Sequence, residues 1–154
     1  GRDSVEEVTI GRVDERYRPI PGTERTIEAD TVCLAVGLTP SIELLRMANV
    51  GLTYLPPMGG YLPLHSGTLC TTNPDIHVAG DVAGIEEAST AMEEGRLAGT
   101  AIAAALGLLE EAEAGRQMEE IRRRAAQLRT GPHGEARGTA KAELERRYVQ
   151  WQNS

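Results

Sequence analysis

Apolar and polar residues alternate loosely from Val5 to Val13 (Val5, Val8, Ile10), pass through the turn-forming stretch RPIPGTE, and alternate again in RTIEAD. That order predicts a β-hairpin. From Thr31 the pattern changes: TVCLAVG is apolar at nearly every position and closes on Gly37. A run of this kind predicts a strand covered on both faces, as in a parallel sheet flanked by helices.

TPSIELLRMANVG then places Pro40 beside Thr39 and Ser41, spaces Leu and Met helically, and sets Gly51 after the end, so a short helix is expected. LTYLPPMGGYLPLHSGTLC, rich in proline and glycine, reads as a loop with at most short strands. DIHVAG is a second brief apolar run ending in glycine, followed at once by Asp81. The stretch EEASTAMEEGRLAGTAIAAALG is strongly helical, with Ala, Leu and Ile recurring on one face and Gly107 as its stop.

Beyond Leu109 the chain becomes charge-rich. Met118, Ile121, Ala125 and Leu128 form one narrow apolar stripe, TGPHGEARGTA interrupts it, and Leu144, Tyr148 and Trp151 form another. Two amphipathic helices joined by a loop are expected, with stripes that must pack on the body, on each other or on a partner.

The length of 154 residues suits one domain with an appendage. With no Phe, the core must be filled by Ala, Leu, Val and Ile. The net charge of −7 belongs to the first part: Gly1 to Leu109 holds 15 Asp/Glu against 7 Lys/Arg, and Glu110 to Ser154 holds 8 against 9. No basic patch for a phosphate backbone exists, so nucleic acid is not an expected partner. Leu97 to Leu109, the most apolar helical stretch, falls well short of the ~20 residues that span a bilayer, so no membrane partner is expected either.

Cys33 and Cys70 stand in no CxxC pairing and read as reduced, buried, small hydrophobes, which points to a cytoplasmic setting. His65, His77 and His133 lack metal-ligand spacing, and no metal site is expected. His77 reads as a histidine packed beside the sheet. Glu86, Glu87, Glu93 and Glu94 read as helix-surface carboxylates, with Arg96 in reach of Glu93. No catalytic acid or base can be placed.

The chemistry concentrates in TTNPDIHVAGDVAG, Thr71 to Gly84. An Asp beside a helix N-terminus ordinarily satisfies free backbone N–H groups. At the C-terminal edge of a parallel sheet, the same Gly-Asp allows a ligand to approach the backbone while the next helix offers its positive end. Two further motifs favour that second reading. The run with Ala35, Gly37, Pro40 and Ser41, followed by Thr71 or Thr72, Pro74, Ile76, Ala79, Gly80 and Asp81, resembles the paired signature of the FAD-dependent pyridine nucleotide-disulfide oxidoreductase superfamily. Glu94-Gly95-Arg96-Leu97-Ala98-Gly99 within the long helix is similar to the flavoprotein subunits of the sarcosine oxidase, opine dehydrogenase and hydrogen cyanide synthase type.

This resemblance covers Val5 to Gly107. It implies an α/β fold: a partial FAD/NAD(P)-binding domain of Rossmann-like, three-layer ββα type, with a β-hairpin at the N-terminus and an α-helical C-terminal tail. Residues 1–30 would end an inserted NAD(P)-binding domain, 31–109 would be the C-terminal part of the FAD-binding domain, and 110–154 a charged helical tail. Asp81 would bond a ribityl hydroxyl of FAD, with Gly80 allowing the close approach. Backbone N–H groups around Ala88, Ser89 and Thr90 would face the flavin pyrimidine edge, and Ala35 and Gly37 would line the passage to the phosphates. The family fingerprint G-x-G-x-x-G is absent from these residues, and the sequence opens at Gly1 without a Met. A fragment or one part of a split protein is therefore expected. Its partner would be the missing N-terminal part of the flavoprotein or a companion subunit, with a homo-oligomer left open. NAD(P) would bind in the parent protein, outside this chain. A catalytically silent domain used for assembly is the alternative.

Overall fold

The computed structural model describes residues 3–154, except for the side chains of Pro132 and His133. It is mixed α/β and divides into two compact units, Gly1–Val36 and Gly37–Ser154, each described by itself. In the first, β1 (Glu7–Ile10) pairs antiparallel with β2 (Arg25–Glu28), Val8 opposite Ile27 and Thr9 opposite Thr26, as the alternating pattern predicts. Asp14 turns the connection by accepting the backbone N–H groups of Arg16 and Arg18.

The expected strand Thr31–Gly37 does not form. This stretch carries no regular structure and is exposed throughout, Leu34 and Val36 at 80% and 90%. Cys33, read from the sequence as buried, is exposed with it. The physical reason is pairing: a strand of a parallel sheet is held by neighbours that accept and donate its backbone hydrogen bonds, and none lies beside it among the described residues. DIHVAG likewise forms only an isolated bridge, His77 to Cys70, rather than a strand. Both sheets among the described residues are two-stranded and antiparallel, so the expected parallel sheet is not present there.

The second unit begins with α1 (Glu43–Met47). Its stop is not Gly51 but Asn49, which takes the left-handed conformation (φ +55°) as the Val50 and Asn49 N–H groups return to the Leu45 and Arg46 carbonyls. The proline- and glycine-rich stretch folds into a hairpin of β3 (Leu52–Leu55) and β4 (Gly60–Pro63), turned by the 3₁₀ segment Pro56–Met58. A 3₁₀ turn, Gly80–Ala83, follows the apolar run and leads to α2 (Ala88–Ala105), α3 (Glu111–Leu128) and α4 (Pro132–Gln152). No helix among the described residues is long and apolar enough to cross a membrane.

α4 starts far earlier than expected, inside TGPHGEARGTA. Pro132 sits in its first turn, where a missing N–H costs nothing, and Gly134 lets the helix start press against the end of α3: a Cβ there would lie 2.5 Å from the Arg129 carbonyl. The glycines that looked like breakers serve a tight helix–helix corner.

The core consists of small clusters, as a chain without Phe requires. Leu55, Met58, Leu62 and Leu64 of the hairpin region meet Ala140, Leu144 and Tyr148 of α4. Leu97 and Ala98 of α2 meet Ile121 of α3 and Leu69, and Leu45, Val50, Val78 and Ala83 close a third cluster under α1. Both tail stripes therefore bury against the body, although Leu128 and Trp151 at their ends stay 45% exposed.

Candidate functional site

The segment Gly80–Glu86 is built around backbone conformations that side chains oppose. Gly80 has φ +74° and Gly84 φ +133°, and a Cβ on Gly84 would fall on the Met58 side chain. Only glycine takes these values without strain. Between them Asp81 projects an exposed carboxylate, while Ala83 behind it is fully buried. The turn is one short 3₁₀ segment, Gly80–Ala83, closed at its end by the Gly84 N–H to the Asp81 carbonyl.

The chain then enters α2 through Glu87, extended at φ −72° and ψ 149°. No side chain caps this end. The first-turn N–H groups, those of Ala88, Ser89 and Thr90, precede the first intrahelical bond, from Ala91 to the Glu87 carbonyl. Ala88 and Ser89 are exposed, whereas the Thr90 side chain is buried at 2%. The structure thus brings Gly80 and Asp81 together with α2, against which their turn packs, and leaves a set of uncapped donors at the helix start. An exposed carboxylate that accepts hydroxyl hydrogen bonds and a positive helix end that attracts electron-rich atoms are chemically suited to a polyol chain ending in a heteroaromatic ring. Gly37, at φ +109° with open space around its Cα, stands in the same unit but in no regular element, and Ala35 belongs to the first unit.

Sequence reasoning missed the charges beneath this surface. Glu86, Glu93 and Glu94 are not helix-surface carboxylates: their side chains are 5%, 8% and 6% exposed, and only Glu87 remains in solvent. Arg129 forks onto Glu86 (2.8 and 2.9 Å) and bonds Glu94 Oε1 at 3.0 Å. Lys141 Nζ, 6% exposed, bonds the same Glu94 oxygen at 2.7 Å and the Ala83 carbonyl at 2.8 Å. Glu93 takes Arg96, as expected, and also Arg124 of α3 at 3.0 Å. Each buried charge is paired, which is the condition for its burial. Two signals pointed this way: Glu94 shares a helical face with Thr90, Leu97 and Ala98, and Lys141 is the only lysine in a chain whose other basic residues are arginines.

His65 adjoins this network. It is 1% exposed, its Nδ1 lies 2.9 Å from the Ser66 carbonyl, and its Nε2 has no hydrogen-bond partner among the described residues. Burial, with the Lys141 charge as a second cause, pushes its pKa down to about 4. His77 is half-buried, and burial lowers its pKa too.

Residues 2–95 match the family described as pyridine nucleotide-disulphide oxidoreductase. Hydrogen cyanide synthase subunit HcnB of Pseudomonas aeruginosa is 33% identical over 129 residues, 83% of this chain and 26% of that protein. HcnB of Pseudomonas protegens is 28% identical over 71% of this chain and 23% of that protein. An opine oxidase subunit of Agrobacterium tumefaciens is 38% identical over 56% of this chain and 17% of its own length. The chain spans about a quarter of the length of the HcnB proteins it matches. No solved structure matches it.

Proposed function

The chain belongs to the pyridine nucleotide-disulphide oxidoreductase family, and from that premise we propose that it is the C-terminal part of an FAD-dependent, NAD(P)-linked oxidoreductase acting on an amine or amino acid. The observation that carries this reading is the uncapped start of α2 beside an exposed Asp81 on a glycine turn. Those groups fit the ribityl chain and pyrimidine edge of a flavin. FAD, when bound, supplies two-electron transfer. Asp81 accepts hydrogen bonds from ribityl hydroxyls, and Gly80 keeps side-chain bulk away from them. The N–H groups of Ala88, Ser89 and Thr90 stabilise negative charge at the pyrimidine edge, because unpaired helix-end donors are already oriented and need not reorganise. Gly37 and Ala35 would line the passage to the phosphates. The substrate class draws its support from the relative named as an opine oxidase.

A second reading, a catalytically silent domain that serves to assemble a larger protein, is favoured by the exposed apolar run with Val32, Leu34 and Val36, which offers a strand in want of a sheet. The proposed partner of that run is the N-terminal part of the flavoprotein or a companion subunit. The proposed setting is cytoplasmic.

Replacing Asp81 with Ala in the longer protein tests the first reading. Flavin should be lost on dialysis while the melting temperature holds, and retention equal to the parent's would overturn the role of Asp81. Titrating FAD into the 154-residue chain separates the two readings: weak binding is expected for a partial site, and tight stoichiometric binding would show that the site is whole.

A further inference from the structure

We propose that Glu94, Arg129 and Lys141 are positioning residues: through them the two tail helices clamp the turn that carries Asp81. The inference rests on the reading of Gly80 and Asp81 as flavin contacts, and it assigns the charged tail a part in that site.

The turn has little to hold itself. Two glycines in the left-handed region bracket it, its own bonds are those of one short 3₁₀ segment, whose geometry is poorer than an α-helix's, and its residues 80–85 belong to no sheet. Segments of this kind gain much entropy on opening. Ala83 packs into the cluster under α1, and the polar bonds that fix the turn from outside come mostly from the tail. Glu94 divides its oxygens between two tasks: Oε2 accepts the Gly80 N–H at 2.9 Å, while Oε1 accepts Arg129 Nη2 at 3.0 Å and Lys141 Nζ at 2.7 Å. The carboxylate is thereby held by the tail in the position from which it holds Gly80.

The far end of the turn is fixed in the same way. Lys141 Nζ donates to the Ala83 carbonyl at 2.8 Å, Arg137 Nη1 to the Ile85 carbonyl at 2.7 Å, and the Arg129 fork anchors the Glu86 carboxylate. Only the Ile85 N–H bond to the Met58 carbonyl comes from the hairpin. If the ion pairs served solely to staple α4 to α2, their donors would end on side chains. Instead Lys141 also reaches the Ala83 carbonyl of the turn, and Arg137, which makes no ion pair among the described residues, donates to the Ile85 carbonyl that follows it.

Lysine suits the junction better than arginine. A compact ammonium on a flexible stem meets the Ala83 carbonyl and the Glu94 carboxylate at once and lies 3.8 Å from Glu86, where a planar fork would be mismatched. Buried charges cost desolvation, and a fixed geometry is one attested return for it.

Amide hydrogen exchange on the full 154-residue chain tests the clamp, comparing Lys141→Met and Glu94→Gln with Leu144→Ala, which weakens the α4 packing without touching the clamp. Both clamp variants should speed exchange at residues 80–85 about tenfold relative to the α3 interior, and Leu144→Ala should speed the two regions alike. In the longer protein, Lys141→Met should release flavin several-fold faster than Leu144→Ala of equal melting temperature. Turn amides that keep their rate relative to α3 in both clamp variants would overturn the proposal, as would equal flavin release. A failure of the flavin reading shows separately, as unchanged flavin retention in Asp81→Ala.

Discussion

Arg129 and Glu86 meet as a two-pronged ion pair, Nε and Nη2 at 2.8 and 2.9 Å from the two carboxylate oxygens, joining the residue that caps the C-terminus of α3 to the loop that precedes α2. With the Glu86 side chain 5% exposed and that of Arg129 19%, the carboxylate has almost no water to fall back on. Replacing Arg129 with Met should cost about 3 kcal/mol in urea unfolding, because it strands a buried carboxylate. The Arg116–Glu113 pair on the outer face of α3 gives the contrast: Arg116→Ala should leave the unfolding curve where it was.

Gly84 and Gly95 should respond oppositely to alanine. At Gly84 a Cβ meets the buried Met58 and the backbone sits at φ +133°, so the variant should lose about 1–3 kcal/mol. Gly95 lies within α2 with open space around it, and there alanine should add about 0.5–1 kcal/mol by removing backbone freedom from the unfolded chain. Paired thermal melts of the two variants check both signs.

Leu144, fully buried among hairpin and α4 residues, should cost about 2–5 kcal/mol when cut to alanine. Trp151, 45% exposed at the end of the same stripe, should cost far less. Equal effects in denaturant titrations would place the tail outside the core.

His65 should make stability depend on pH. Its folded pKa of about 4 lies below the ordinary 6.5, so between these values the unfolded chain binds the extra proton. Stability from burying the neutral ring is complete above about pH 6.5 and is lost as pH falls toward 4, by up to roughly 3 kcal/mol at ~1.4 kcal/mol per pKa unit. His65→Gln should flatten this part of the profile. Comparing the two proteins' melting temperatures from pH 7 to pH 4 isolates the histidine from the carboxylates that titrate in both.

What the sequence determined by itself is local. Alternation in Val5–Ile10 and Arg25–Glu28 specified the first hairpin, helical spacing specified α1 and α2, and the motifs around Asp81 marked the candidate flavin contact and the family. These follow from contacts between near neighbours or from residue types at fixed offsets. Tertiary structure decided the rest. Thr31–Gly37 has the composition of a buried strand and is not one here, because ladder partners are supplied by other segments. Glu86 and Glu94 have the look of surface charge and are buried, because Arg129 and Lys141, 35 to 55 residues further on, arrive to neutralise them. The helical pattern could place Glu94 on the face of Thr90 and Ala98, but only the return of α3 and α4 could make that face an interior. A carboxylate's fate depends on the charge that folding brings to it, and that charge lies beyond the reach of any local window.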